Sequence, residues 1–128
     1  MYRTISWKEL KKFLRKRVDK SRYVPGSYVC EDFARSLQAD AKAADLDCHL
    51  VYVDFGSDGG HMCNAFDTKD KGLVYIDSTP PLEGNLTSCY TVVDVRMGEE
   101  YRPELIFPIR GYKKFLEPMG VVKNIDVV

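Results

Sequence analysis

The feature that most limits what this chain can fold into is a change of hydrophobic period near Cys48. Before it, apolar residues recur at three- and four-residue steps: Trp7, Leu10, Phe13, Leu14 and Val18, then Phe33, Leu37, Ala41 and Ala44. That is the stripe of an amphipathic helix, whose turn takes 3.6 residues. From Cys48 onward, β-branched and aromatic residues gather in short runs separated by Gly, Asp and Pro, which is the pattern of strands joined by turns. Helices first and strands after, within 128 residues, predict an α+β fold on a single domain spanning residues 1–128.

The boundaries follow from local chemistry. Ser6-Trp7-Lys8-Glu9 fits a capping box, in which the Ser6 hydroxyl accepts the Glu9 amide and the Glu9 carboxylate reaches back. A first helix should start there. After the Pro25-Gly26 break a second helix is expected from about Tyr28 to Asp45, with Ser27 as N-cap and Cys30 in the first turn beside Glu31 and Asp32. Ala39 to Ala44 would let it pack closely on a sheet. Strands are expected at Cys48 to Phe55, His61 to Thr68 and Leu73 to Ser78, an antiparallel meander turned at Gly56 to Gly60 and at Asp70-Lys71-Gly72. Weaker strands are expected at Tyr90 to Val95, Glu104 to Ile109 and Gly120 to Val127, and a loop over Pro80 to Ser88.

Composition narrows the function classes. The chain carries 19 basic and 19 acidic side chains, but residues 1–22 hold nine basic and two acidic ones, a local charge of +7 balanced by −7 beyond. This is read as the solvated face of the first helix, since no aromatic or Gly-rich nucleic-acid motif accompanies it. The longest uncharged stretch holding a hydrophobic cluster is the ten residues Gly84 to Val93, against roughly 18–20 for a membrane span. Met1 to Leu10 has no apolar h-region, so the expected location is the cytoplasm. Asn85-Leu86-Thr87 fits a glycosylation acceptor but is read as accidental there. The four cysteines, at 30, 48, 63 and 89, lack a CxxC spacing and are read as reduced thiols. Cys48-His49 and Cys63 lack zinc-ligand spacing, so neither metal nor cofactor is expected.

Three residues combine into possible chemistry. Cys30 sits in a helix N-terminal turn, where free amides and the dipole favour a thiolate. His61 opens one strand and Asp77 closes the next. If the pair turns about residue 69, positions 61 and 77 face each other and project from one sheet face with Cys63, Ala65, Leu73 and Tyr75. Should the Cys30 helix pack on that face, thiol, imidazole and carboxylate form a nucleophile, a base and its orienter. Taken singly, each has an ordinary structural explanation: a small core cysteine, a satisfied histidine, a turn aspartate. Glu31 and Asp32 oppose ionisation of the thiol unless they point away or are paired.

Tyr28-Val29-Cys30-Glu31-Asp32-Phe33-Ala34, then His61 opening a strand, then Val74-Tyr75-Ile76-Asp77-Ser78-Thr79, resembles the core of the transglutaminase-like superfamily. Its microbial members show a Cys-x-Asp-Phe/Tyr-Ala helix start, a His strand and an Asp-x-Thr strand end. The resemblance covers about residues 23–80. It implies the papain-like α+β fold, with the nucleophile helix packed on an antiparallel sheet and Cys30, His61 and Asp77 as triad. The expected function is thiol-dependent acyl transfer at a protein or peptide amide, as in transglutaminases, amidases and cysteine proteases. A catalytically inactive module that keeps the fold and binds a protein or an acidic partner is the alternative.

Overall fold

In the computed structural model, which describes residues 2–81 and 86–128, the first helix begins where its capping box places it. Helix α1 spans Trp7–Lys16, with the Glu9 N–H donating to Ser6 Oγ at 3.1 Å and the Ser6 N–H to Glu9 Oε1 at 3.4 Å. It buries Leu10 and Leu14 and stops short of Val18, which is 72% exposed rather than part of the apolar stripe. What stops it is Arg17. Its buried guanidinium donates to Asp40 Oδ2 (2.7 Å), Ser36 Oγ (2.9 Å) and the Tyr90 hydroxyl (3.0 Å), tying the end of α1 to the second helix. One cation of the basic segment is therefore structural.

The second helix, α2, spans Cys30–Ala43 and starts later than the Ser27 cap predicts. Val24 and Tyr28 exchange two backbone hydrogen bonds of 2.8 Å around Pro25-Gly26, and this closed turn holds Ser27 out of the cap position. Val29 caps instead, its N–H donating to Asp32 Oδ2 at 2.8 Å. Cys30 is thus the first helical residue.

Six strands form one antiparallel sheet: β1 (Cys48–Asp54), β2 (Gly60–Thr68), β3 (Gly72–Asp77), β4 (Thr91–Val93), β5 (Glu104–Leu105) and β6 (Asn124–Val127), ordered β5-β4-β3-β2-β1-β6. The first three match the expected meander. The last three are shorter than expected, because the chain between β4 and β6 crosses one sheet face as irregular backbone. It bonds to itself instead, Tyr101 N–H to Gly120 O (2.8 Å) and Met119 N–H to Tyr101 O (3.0 Å). Residues 82–85 of the Pro80 to Ser88 loop, with Asn85 of the acceptor pattern, lie outside the described residues.

The sheet separates two cores. On one face α1 and α2 press Leu10, Leu14, Leu37 and Ala41 against Cys48, Phe66 and Ile76. On the other, Val51, Val53, Cys63, Ala65 and Val93 pack beneath Phe55, Val95, Tyr101 and Val122. No helix among the described residues is long and apolar enough to cross a membrane.

Two expectations about the site are corrected here. The β2–β3 register pairs Thr68 with Gly72 and Asn64 with Ile76, so the hairpin turns about residue 70 rather than 69. Thr68 Oγ1 accepts the Lys71 N–H (3.0 Å) and donates to Gly72 O (2.8 Å), and Gly72, at φ +67°, closes a turn that a residue with a Cβ resists. His61 and Asp77 are therefore diagonal neighbours, not direct ones, but a shift of two keeps them on one face. Second, α2 does not pack on that face. Asn64 Nδ2 donates to Ala34 O (2.9 Å) and Ser78 Oγ to Phe33 O (3.4 Å), which places the helix against the even-numbered side chains of β2 and β3.

Candidate active site

Although α2 packs on the opposite face, Cys30 and His61 line the same small cavity. The β2–β3 ladder ends at Asn64 and Ile76, so the first residues of β2 and the last of β3 do not pair with each other. The N-terminus of α2 ends at this opening. Cys30, His61 and Met62 line one small cavity there, and the imidazole and the Met62 amide both favour the ionised sulfur. The thiol thus reaches the edge of the His61 face through the gap where the strands part.

His61 and Asp77 are both buried, and His61 Nε2 lies 2.7 Å from Asp77 Oδ2. That leaves Nδ1 as the ring nitrogen for Cys30. The carboxylate is held on both oxygens: Oδ1 accepts the Thr79 N–H (2.9 Å), and Oδ2 also accepts the Tyr101 hydroxyl (2.8 Å). Asp77 therefore holds the imidazole, and Thr79 and Tyr101 hold Asp77.

Tyr101 has no counterpart in the sequence reading. It is fully buried, and its ring meets His61 edge-on with centroids 5.4 Å apart. It lies 24 residues beyond Asp77 in a segment without periodicity, and its placement depends on the long-range bonds to Met119 and Gly120. The available signal was a lone aromatic inside the polar run Gly98-Glu99-Glu100-Tyr101-Arg102. Such a ring, when buried, needs a partner for its hydroxyl.

Charge separates the four cysteines, all of which are free. At Cys30 burial works against ionisation, but the hydrogen bond and charge of His61 and the Met62 amide outweigh it, and the pKa is lowered. Burial pushes Cys48 and Cys89 each up to about 12, and raises Cys63 further still. His61 moves the complementary way. Burial disfavours its cation, yet the charge and hydrogen bond of Asp77, helped by Cys30, raise its pKa. Asp77 is held down against burial by His61, Thr79 and Tyr101. Glu31 and Asp32 are paired, Glu31 with Arg35 at 3.1 Å and Asp32 with the Val29 amide, so neither stands free beside the sulfur. Both shifts run in the direction of a thiolate beside an imidazolium.

Two spaces open beside His61. One, of about 350 Å³, is lined by Cys30, Glu31, Tyr52, Gly60, His61 and Met62. A Cβ at Gly60 would crowd this wall, standing 3.0 Å from the Tyr52 hydroxyl. The other, of about 810 Å³, is lined by His61 and Asp77 but not by Cys30. Elsewhere, Asp47, His49 and Asp67 bring their ligand atoms within 4.8 Å of one another, because the register sets Asp47 opposite Asp67 with His49 on the diagonal. His49 Nε2 lies 3.1 Å from Asp67 Oδ2, and this partly exposed cluster is the described group best suited to a cation. In comparisons with protein families, with curated proteins and with solved structures, nothing matches this chain.

Proposed function

We propose that this domain catalyses thiol-dependent acyl transfer at an amide, on a papain-like arrangement of the transglutaminase-like type, with Cys30, His61 and Asp77 as its triad. One observation carries the reading. A buried His61–Asp77 pair, bonded through Nε2, shares a cavity wall with a partly buried thiol at a helix N-terminus. A thiol of lowered pKa on the same cavity wall supports a chemical role for this histidine over a purely structural one.

The steps follow from these positions. The Cys30 thiolate attacks the carbonyl carbon of a protein or peptide carboxamide. The Asp32 and Phe33 amides are already bonded to Val29 O, whereas the Cys30 amide precedes the first helical bond and stabilises the oxyanion. The His61 imidazolium gives its proton to the departing amine as the C–N bond breaks, leaving a thioester on Cys30. Water or a second amine then attacks that thioester, His61 takes the proton, and the C–S bond breaks to restore the thiolate. Asp77 holds the imidazole in one tautomer and stabilises its cation, and Tyr101 and Thr79 hold Asp77.

The test is the pH dependence of alkylation, resolved by peptide mapping. Cys30 should react at neutral pH well ahead of Cys48, Cys63 and Cys89. A rate no faster than that of the other three would remove the enzyme reading in favour of a non-catalytic module that binds a protein or acidic partner.

A further inference from the structure

His61 borders both spaces, whereas Cys30 borders only the smaller one. In acyl transfer the acyl group stays on the sulfur, so it belongs beside Cys30. The amine is the group whose nitrogen exchanges a proton with His61 beside the sulfur, and its side chain extends past the ring into the space that borders His61 but not Cys30. The leaving amine and the attacking amine use the same side, since the second half of the reaction reverses the first. The geometry points to the 810 Å³ cavity as the amine subsite of this reaction, and to a primary amine with an aromatic or branched aliphatic side chain as its occupant. This rests on the acyl-transfer reading above and deepens it.

The walls argue for that chemistry. Tyr23, Tyr112, Phe115, Leu116 and Met119 line the cavity, and Phe115 and Met119 leave 48% and 43% of their surface exposed. Large apolar side chains left uncovered around a concavity mark a place for an apolar ligand. The volume lies within the range of ligand sites, about 300–1,000 Å³. Pro80, Pro81 and Pro103 also form the wall. Proline has no N–H, so these positions offer no donor to an extended peptide, and recognition there falls to side-chain contact. Lys113 and Glu117 supply one charge of each sign, which favours no strongly charged ligand. Thr79 also lines the cavity, and its hydroxyl is buried without a partner among the described residues. It has hydrogen-bonding capacity to spare for the polar end of an amine seated beside His61.

Partitioning of the acyl-enzyme tests this separately from the nucleophile. p-Nitrophenyl acetate acylates Cys30 without an amine, and a stoichiometric nitrophenolate burst that Cys30→Ser abolishes reports the thiol. Phenylalaninamide, leucinamide and glycinamide then compete with water for the acetyl group. Phenylalaninamide and leucinamide should capture it roughly tenfold or more better than glycinamide, the scale that burial of a large apolar side chain supports. Phe115→Ser and Leu116→Ser should each bring that ratio toward one. A normal burst with equal capture of all three amines, or a preference untouched by both substitutions, overturns the subsite and leaves acyl transfer standing. Absence of the burst overturns both.

Discussion

The two faces of the sheet are built from the same strands and do opposite things with polarity. On the helix face, polar side chains pin the helix: Asn64 and Ser78 bond to the carbonyls of Ala34 and Phe33, and the rest is close-packed hydrocarbon. On the other face a polar chain runs through the core, from Tyr101 to Asp77 to His61. Its cover is irregular chain rather than helix. A regular helix satisfies its own backbone and asks little of the sheet. An irregular cover can deliver one hydroxyl to one carboxylate, and the buried charge needs that. Both faces carry a hydrophobic core, but only the second holds a buried His–Asp pair, with Cys30 at the seam between them.

Asp77→Asn should give the largest effect and strike the polar face alone. The amide offers a donor where the imidazole needs an acceptor, so thiol-dependent turnover should fall about ten-thousandfold. The pH dependence of stability should change with it. His61, raised above its ordinary value near 6.5, stabilises the wild-type fold fully below that value, and this is lost as pH rises through its folded pKa. Asp77, lowered from about 3.8, stabilises the fold above that value, and this is lost as pH falls through its folded pKa. Urea unfolding across pH should show both limbs in the wild type and neither in the variant. Limbs that persist in Asp77→Asn would mean that other groups carry them.

Leu37→Ala makes the converse cut. Leu37 is fully buried on the helix face, and its truncation should cost about 2–5 kcal/mol of stability. The preference of alkylating reagents for Cys30 over the other thiols should survive in the folded variant. If that preference collapses as well, the two faces are one cooperative unit and the contrast fails.

Tyr101→Phe should give the smallest and most specific effect. It removes a hydrogen bond to a charged group, worth about 1.5–3 kcal/mol. With one donor fewer, the Asp77 charge acts more strongly on His61, so the imidazolium should persist to higher pH. The alkaline limb of the Cys30 reactivity profile should move up. A purely structural role would lower the melting temperature and leave that limb in place.

Much of this was legible in the sequence because alternation along a strand fixes which side chains share a face. His61 and Asp77 keep the same parity under any even shift, so their association survived a register wrong by two residues. The shift arose from Thr68 and Gly72, whose side-chain and positive-φ geometry sets the turn more narrowly than its composition shows. The side of the sheet taken by α2 could not be read from the thiol. The hydrophobic stripe of Phe33, Leu37 and Ala41 has a partner on either face, and only the polar bonds of Asn64 and Ser78 choose one. Tyr101 was invisible for a different reason. It is placed by backbone bonds to residues almost twenty positions away, and such pairing leaves no local pattern.

The sheet ends in β5, of two residues, and β6, of four. An outermost strand presents unpaired amides and carbonyls to any neighbour, and its length sets how many hydrogen bonds a second molecule gains by adding to it. Beside β5 that edge is already occupied, since the Leu105 N–H donates to Lys114 O (2.7 Å) and the Leu116 N–H to Pro103 O (2.9 Å), which leaves an incoming chain almost no ladder. Along β6, Asp126 interrupts the apolar pair Ile125 and Val127, placing a carboxylate where the edges of two copies would otherwise meet. The two edges therefore work against fibril-like stacking, and the sheet can stop at six strands without a helix to seal its margins.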